Sequence, residues 1–254
     1  MQLTTIGGLI LGVGAILIGN VLEGGSMQSL LQITAFFIVF GGTFGATIVS
    51  NRIEDLKLAL DYFKLVFASS ETTERSRIAG EIIQSAQLAR RESILALEQS
   101  VGKFRDPFMR SVYRFMIDGV DPEVLRKLFQ EEISVSERRK MAAAKVWADA
   151  GGFAPTIGII GAVLGLISVM ANISDTSMLG HGIAVAFVAT IYGVGSAHFI
   201  FIPISNKLKT LIRFRSETEH MILEGALSII NGLNPYLIEQ KMRAFTGGVE
   251  VKAK

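Results

Sequence analysis

The stretch that decides the fold is Gly152–Pro203, which reads GFAPTIGIIGAVLGLISVMAN, then the polar loop ISDTSMLGHG, then IAVAFVATIYGVGSAHFIFIP. Neither apolar run contains Asp, Glu, Lys or Arg. Each run is long enough for a helix of about 20 residues, which crosses the hydrocarbon core of a bilayer. The short loop between them therefore predicts an antiparallel hairpin of two membrane helices, over about 153–172 and 183–203.

Small residues recur in both helices at three- and four-residue spacing, a pattern that lets membrane helices approach closely. They are Gly158, Gly161, Ala162 and Gly165, and then Ala186, Thr190, Gly193 and Ala197. The Thr190 hydroxyl is expected to hydrogen-bond backwards to its own helix. Pro155 and Pro203 stand at the same end of the hairpin, where they predict bends.

The rest of the chain is typical of a membrane protein. Half of the residues are hydrophobic and 19% are charged. A mean hydropathy of +0.44 is too apolar for an ordinary soluble domain. The apolar stretch 3–22 lacks a basic start and a cleavage site, so it predicts a retained helix. With a further span over about 30–49, the prediction is an all-α membrane protein with four transmembrane helices in two hairpins.

The basic residues predict the orientation in the membrane and the domain limits. Seventeen of the 25 Lys and Arg lie between Asn51 and Val146, and the other eight follow Pro203. Because basic residues remain on the cytoplasmic side, both termini are predicted to be cytoplasmic. The predicted divisions are a hairpin over 1–50, a cytoplasmic helical domain over 51–150, a second hairpin over 151–204 and a cytoplasmic tail over 205–254.

The cytoplasmic domain shows several helical patterns. An apolar stripe from Ile53 to Phe67 predicts a helix that either lies along the inner leaflet or packs on neighbouring helices. A second helix is predicted over about 73–101, and a short third one between Asp106–Pro107 and Gly119. Asp121–Pro122–Glu123 predicts the start of a long helix that ends where Gly151–Gly152 breaks it.

Two charges on the predicted second helix, Arg90 and Glu98, lie about two turns apart on broadly one side of it. Such charges usually belong to a solvated face. In the four spans, by contrast, there is no carboxylate, lysine or arginine, and His198 is the only ionisable side chain. Ion carriers normally need such a group at membrane depth. If this chain conducts an ion, a partner must therefore supply the carboxylate.

Several motifs, in this order, resemble those of the A subunit of the bacterial flagellar motor stator, the MotA/PomA family. They are ARRESILALE in the loop, GFAPTIGIIGAVLGLI in the third span, AFVATIYG followed by Pro203 in the fourth, NKLK after it, and EGALSIINGLNPYLIEQK in the tail. The resemblance covers nearly the whole chain. Gly195 departs from it, because relatives tend to carry a larger apolar residue there.

The resemblance implies a function and a set of partners. It implies a homopentamer of A subunits around two single-span, peptidoglycan-binding B subunits, each with an ion-accepting Asp, in the bacterial inner membrane. Arg90 and Glu98 match the charged pair that contacts the rotor switch protein FliG. Pro155 and Pro203 match the prolines of the conformational step, and Thr190 matches the threonine of the ion pathway.

The transported ion is predicted to be H+. Sodium-driven relatives carry additional hydroxyls where this chain has Ala162 and Ala189, and a methyl group cannot bind a cation. A sodium-driven stator is the alternative within the family. No cofactor is predicted, and the absence of Cys together with only three His leaves no metal-ligand cluster.

Three other classes of protein are weighed against the stator. An energiser of outer-membrane processes of the ExbB/TolQ class has three spans, and the hairpin over 1–50 disfavours it. An intramembrane enzyme would need a nucleophile with its base, or metal ligands, at membrane depth, and a permease component would show polar groups that line a substrate path. The predicted protein is therefore not an enzyme. Its net charge of +2 gives no sign of a nucleic-acid partner, and lipid surrounds its spans.

Overall fold

The structure is a computed structural model that describes residues 3–67, 71–171 and 176–247. These residues form helices joined by short turns, with no strand among them, which confirms the all-α prediction. They belong to two compact units, one from Met1–Ala68 and Lys140–Lys209 and the other from Ser69–Arg139 and Thr210–Lys254. These limits follow packing, so they differ from the predicted ones at residues 50, 150 and 204, which lie at the predicted membrane edges.

The first unit contains the apolar helices. Its elements are α1 (Leu3–Leu22), α2 (Ile33–Phe36), a π-helical turn (Phe37–Gly41), α3 (Gly42–Ser50) and α4 (Ile53–Phe63), and later in the chain the second part of α8 (Pro122–Ala171), α9 (Thr176–Ser196), a π-helical turn (Ala197–Phe201) and the start of α10 (Ile202–Ile230). Many large apolar side chains on these helices are exposed, as is expected of helices that face lipid.

Length and composition mark three described helical segments as able to cross a membrane: Met27–Ser50, Pro122–Ala171 and Leu179–Ile230. The first helix adds a shorter apolar stretch, Ile6–Leu22. The chain is therefore a membrane protein whose apolar helices lie where the sequence predicts membrane spans.

Helix α4 packs on one side only. Ala59 and Leu56 lie in a cluster with Ala143 and Val146 of α8, whereas Leu60 on the same helix is exposed. The Trp147 indole N–H donates to the Ala59 carbonyl oxygen at 3.2 Å. Packing on a neighbouring helix, one of the two roles left open by the sequence, thus accounts for the buried side of α4.

The second unit has a compact apolar core. Its elements are α5 (Glu71–Arg91), a 3-10 turn (Ile94–Leu97), α6 (Glu98–Val101), α7 (Pro107–Ile117), the first part of α8, the second part of α10 and α11 (Pro235–Phe245). The core includes Ile82, Leu97, Tyr113, Phe129 and Met221, all nearly or fully buried. Gly225 lies so close to Ile82 that an added Cβ would be 2.6 Å from its Cγ2 atom.

Two helix starts confirm the predictions from local sequence. The Asp106 carboxylate accepts the Met109 amide N–H at 2.9 Å, and Pro107 begins α7. The Asp121 carboxylate accepts the Glu123 amide N–H at 2.9 Å at the start of α8. Helix α7 ends before Gly119, whose φ of +74° is a backbone conformation that favours glycine. Each cap involves only residues that are neighbours in the chain, so it can be predicted from the sequence alone.

The predicted helix over 73–101 is wrong in its second half. Helix α5 ends at Arg91, and Ser93 is fully extended, with φ −179° and ψ 170°. The chain then turns back through Ile94–Leu97, which brings Leu97 and Val101 into the core. Burial of these apolar side chains outweighs the helical propensity of the segment, which is weak compared with tertiary packing. Arg90 and Glu98 therefore lie on different elements.

The predicted break at Gly151–Gly152 is also wrong, because α8 runs without interruption from Pro122 to Ala171. A Cβ at Gly151 would lie 2.7 Å from the Cγ1 atom of Ile202. Glycine at this position allows close packing. Its cost in a helix interior, about 1 kcal/mol relative to alanine, is too small to end a long helix.

The predicted loop over 173–182 is shorter than expected. Residues 172–175 lie outside the described part of the chain, but α9 already begins at Thr176. The Gly182 position, predicted as loop, is helical and packs closely: an added Cβ would lie 3.0 Å from the Gly165 carbonyl oxygen. Helix–helix packing thus extends the fourth predicted span beyond its apolar sequence.

Candidate ion-pathway and partner-contact sites

The small residues of α8 and α9 form the contact between these two helices. An added Cβ at Gly158 would lie 2.9 Å from the Ala189 carbonyl oxygen. One at Gly165 would lie 2.7 Å from the Gly182 carbonyl oxygen, and one at Gly193 would lie 3.0 Å from the Gly158 Cα atom. These distances exclude larger side chains, so the spacing of glycines serves close backbone packing.

Thr190 lies beside this contact on α9, about 60° around the helix from Gly193. Its side chain is exposed, and its hydroxyl donates to the Ala186 carbonyl oxygen at 3.1 Å, as predicted. The hydroxyl oxygen keeps its lone pairs available to a passing proton or water. Thr190 thus presents a polar atom on an exposed part of α9.

The two alanines of the predicted pathway have different surroundings. Ala162 is partly exposed, whereas Ala189 is 0% exposed in a cluster with Ala35 and Val39. An added Cβ at Gly161 would lie 2.7 Å from the Ala189 Cβ atom. Adjacent residues on a helix point about 100° apart. A hydroxyl at position 189 would therefore face the interior of this subunit. Of the three residues of the predicted pathway, only Thr190 and Ala162 have side chains that are at least partly exposed.

The two prolines occupy different local structures. Pro155 is a half-buried residue inside α8. Pro203 is exposed and lies two residues after a π-helical turn that ends at Phe201, and the Ile202 amide N–H donates to the Ala197 carbonyl oxygen. Because proline has no N–H, it cannot continue the ordinary helical ladder. The wider turn before Pro203 is one known way for a helix to accommodate such a gap.

Sequence reasoning missed Tyr192, which joins α9 to the start of α2. Its hydroxyl donates to the Leu30 carbonyl oxygen at 2.6 Å, and the Gln32 amide N–H donates to it at 3.4 Å. Gln32 is extended, and its side chain makes no capping bond to α2. The signal was present, because a tyrosine inside an apolar span needs a hydrogen-bond partner for its hydroxyl. The identity of that partner depends on tertiary structure.

Arg90 and Glu98 are both exposed. Arg90 is in the last turn of α5, where a cation favourably meets the negative end of the helix dipole. Glu98 is the first residue of α6, where an anion is favoured. Within 3–67, 71–171 and 176–247, neither residue forms an ion pair. Both charges are therefore available to a partner, although they are not on one helix as the sequence predicted.

A buried ion pair holds α7 to α10. Asp106 is 1% exposed, and the Arg215 guanidinium donates to its carboxylate at 2.5 Å and to the Glu219 carboxylate at 2.8 Å. Burial alone would raise the pKa of Asp106, but the hydrogen bonds from Arg215 and from the Met109 amide outweigh it and lower the pKa. Asp106 thus remains ionised near neutral pH.

A second arginine, Arg75, fastens three parts of the same unit. Its guanidinium donates to the Thr218 hydroxyl at 2.9 Å, to the Phe214 carbonyl oxygen at 2.5 Å and to the Phe245 carbonyl oxygen at 3.2 Å. It also lies 3.4 Å above the Phe214 ring. These contacts hold the end of α11 against α5 and α10 within the second unit.

The chain is similar to known motility proteins over both units. Residues 100–221 match the model of the MotA/TolQ/ExbB proton channel family, and residues 6–83 match the N-terminal model of motility protein A. Motility protein A of Bacillus subtilis (strain 168) is 34% identical over 242 residues, 95% of this chain and 90% of that protein. Two solved structures are similar as well: C. jejuni MotAB, with a TM-score of 0.90 and 29% identity over 96% of each chain, and the flagellar MotAB stator complex from Bacillus subtilis, with 0.87 and 33% over 95% of each.

Proposed function

Because this chain belongs to the motility protein A family, we propose that it is the A subunit of a proton-driven stator of the bacterial flagellar motor. The observation that carries this proposal is the similarity over nearly the whole chain, 34% identity over 95% of its residues. The family model that matches residues 100–221 is described as that of a proton channel family. The chain would couple ion flow across the inner membrane to torque on the rotor.

The proposed topology has four spans: α1, the helical segment 33–50, the last part of α8, and α9. Both termini, the second compact unit and the loops that carry all 25 basic residues are cytoplasmic in this proposal. The exposed apolar side chains on α1, α3 and α9 support a position in lipid. Trp147, with its indole N–H bonded to Ala59, would lie at the inner edge of the membrane.

The proposed assembly is a ring of five copies around two single-span B subunits. Both solved structures named above are of MotAB. The physical support is the composition of the spans, which contain no Asp, Glu, Lys or Arg. Since a conducted proton needs an acceptor inside the membrane, a second chain must supply the carboxylate.

In the proposed pathway, the partner's Asp accepts and releases the proton beside Thr190. The exposed Thr190 hydroxyl can accept a hydrogen bond from water while it donates its own hydrogen to the Ala186 carbonyl oxygen. Ala162 offers an open but nonpolar wall, and Ala189 contributes only to packing within the subunit. A proton needs one acceptor and a water path, whereas sodium needs several oxygen ligands to replace its hydration shell. The lone hydroxyl is therefore better suited to a proton.

Pro155 and Pro203 are proposed to permit two bends of the spans. Each removes one backbone donor, so the helix near it has fewer hydrogen bonds to break when it changes shape. The π-helical turn Ala197–Phe201 adds a second irregularity beside Pro203. Such positions are common sites of hinge movement.

Arg90 and Glu98 are proposed to contact the rotor switch protein FliG. Both charges are exposed and unpaired within the described ranges, and each complements the dipole of the helix that carries it. A complementary pair of charges on the rotor would bind them with modest strength, as suits a contact that is made and broken at every step.

The proposal is tested by complementation in cells that lack their own stator A subunit, with the cognate B subunit supplied. We expect the chain to restore swimming and to co-purify with the single-span B subunit. Thr190→Val should reduce swimming, and Ser50→Ala should not, although the Ser50 hydroxyl also donates to its own helix, at Ala46. Failure to restore swimming despite normal membrane levels and a bound B subunit would contradict the proposal.

A further inference from the structure

The turn that leads into α11 exposes apolar side chains that the proposed function leaves without a role. Leu233 is 38% exposed, Tyr236 64% and Leu237 55%. The other side of α11 is buried through Ile238 and Met242. Solvated helices normally carry polar residues opposite their core face. Three large exposed apolar side chains within five residues therefore favour a surface that another molecule covers.

The backbone fixes the position of these side chains. Gly232 adopts φ +67°, and the Leu233 amide N–H donates to the Ser228 carbonyl oxygen at 3.1 Å. The Asn234 side chain accepts the Tyr236 amide N–H at 2.9 Å and so caps α11. Contacts presented from a fixed backbone lose little conformational entropy on binding.

The same turn borders the basic end of α5. Pro235 lines a shallow surface depression together with Gln87, Arg90 and Arg91. Neither arginine has a carboxylate within 4 Å among the described residues. Among the described residues, Arg91 makes one side-chain hydrogen bond, a long one of 3.4 Å from its Nε atom to the Gln87 carbonyl oxygen. The depression therefore places two unpaired guanidinium groups beside Pro235, the first residue of α11, which directly precedes Tyr236 in the chain.

We propose that Arg90, Arg91, Pro235, Tyr236 and Leu237 form one docking surface for a helix of the rotor switch protein. This inference rests on the proposed function, because it takes Arg90 as part of the rotor contact. The helix would place an apolar side chain against Tyr236 and Leu237 and carboxylates against the two arginines. Tyrosine and arginine are the residue types that most often dominate the energy of protein interfaces.

The charges decide the kind of occupant. Two guanidinium groups without an internal acid favour carboxylates in a fork geometry. An apolar anchor beside them favours an amphipathic helix, which presents both kinds of side chain along one face. Anionic lipid would satisfy the arginines, but it offers no defined apolar side chain for Tyr236. A second copy of this chain is the remaining alternative, and the experiment distinguishes it.

The test measures contact and affinity with the complete stator complex. A photoreactive benzoylphenylalanine at position 237 should crosslink to the switch protein in cells, whereas one at Val124, which is 56% exposed on α8, should not. Tyr236→Ala should weaken binding of the purified complex to the purified switch protein about tenfold, as truncation of an interface anchor does. Tyr236→Phe and the control Val124→Ser should bind as the wild type does.

The outcomes separate this inference from the function on which it rests. If Arg90→Glu weakens binding and Tyr236→Ala does not, the contact ends at the arginines and the inference is wrong, while the stator function stands. If neither variant changes the affinity, the proposed rotor role of Arg90 fails as well. A crosslink from position 237 to a second copy of this chain overturns the assigned occupant. If Tyr236→Ala fails to reach the membrane, the crosslink at 237 alone decides.

Discussion

The Tyr192 hydroxyl donates a 2.6 Å hydrogen bond to the Leu30 carbonyl oxygen, and this bond joins α9 to the break that precedes α2. The Gln32 amide N–H donates to the same hydroxyl at 3.4 Å. Unpaired backbone groups are costly in an apolar environment, so a break in a membrane helix needs such a partner. Thr190 lies two residues away on the exposed side of α9. Tyr192 therefore helps to fix the orientation of the helix that presents Thr190.

Replacing Tyr192 by Phe should destabilise the membrane unit. The variant leaves the partly buried Leu30 carbonyl and Gln32 amide without their shared partner, which costs about 1 kcal/mol. We expect a lower thermal midpoint for the purified A–B complex in detergent. Tyr236→Phe serves as the matched control, because Tyr236 is exposed and its hydroxyl is not needed for packing. Equal midpoints for the two variants would show that the Tyr192 bond is not structural.

Replacing Gly193 by Ala should disturb the contact between α8 and α9. An added Cβ would lie 2.6 Å from the Ala154 carbonyl oxygen, so the helices must separate. Overpacking of this kind costs about 1–3 kcal/mol. Gly195→Ala is the control two residues away, where nothing lies within 4 Å of the added Cβ. Immunoblots of membrane fractions should show less Gly193→Ala protein and normal Gly195→Ala protein, and a normal level of both would contradict the close packing.

The Asp106–Arg215 pair should make the second unit sensitive to acid. Because the pKa of Asp106 is lower in the folded protein than in the unfolded chain, its stabilisation is present above the unfolded value, about 3.9, and is lost as the pH falls through the folded value. Asp106→Asn should cost about 2 kcal/mol at pH 7, as expected for a hydrogen bond to a charged group. Thermal unfolding should show that this difference from the wild type shrinks below pH 4. A difference that stays constant with pH would exclude the ion pair as its cause.

Pro155→Ala should assemble normally and turn poorly. Alanine restores a backbone donor, so α8 keeps its packing but loses the weak point that permits a second bend. Rotation of tethered cells measures the defect, and a membrane immunoblot measures the level of the protein. Loss of the protein from the membrane would show instead that Pro155 is structural.

The sequence predicted the features that depend on local chemistry. Asp106–Pro107 and Asp121–Pro122 start helices, and the Thr190 hydroxyl bonds to its own helix, because each needs only neighbouring residues. The turn after Arg91 was missed, since it depends on burial of Leu97 in a core built from distant segments.

The site shows the same division between local and tertiary effects. The resemblance to the stator family identified Thr190, Arg90 and Glu98 as candidates, and all three are exposed. Periodicity could not separate Ala189 from Thr190, because the packing of Ala189 against Ala35 and Val39 involves a helix far away in sequence. The partner of Tyr192 lies 162 residues away, so it was equally invisible.

The most direct test of the central claim is the speed of the motor in sodium-free potassium buffer at fixed pH. Thr190 offers a single hydroxyl on the open face of α9, and Ala162 offers none, so the pathway suits a proton. Cells that depend on this subunit and its B partner should keep rotating without sodium and should stop when a protonophore is added. A motor that stops when sodium is withdrawn and continues in the presence of the protonophore would contradict proton drive.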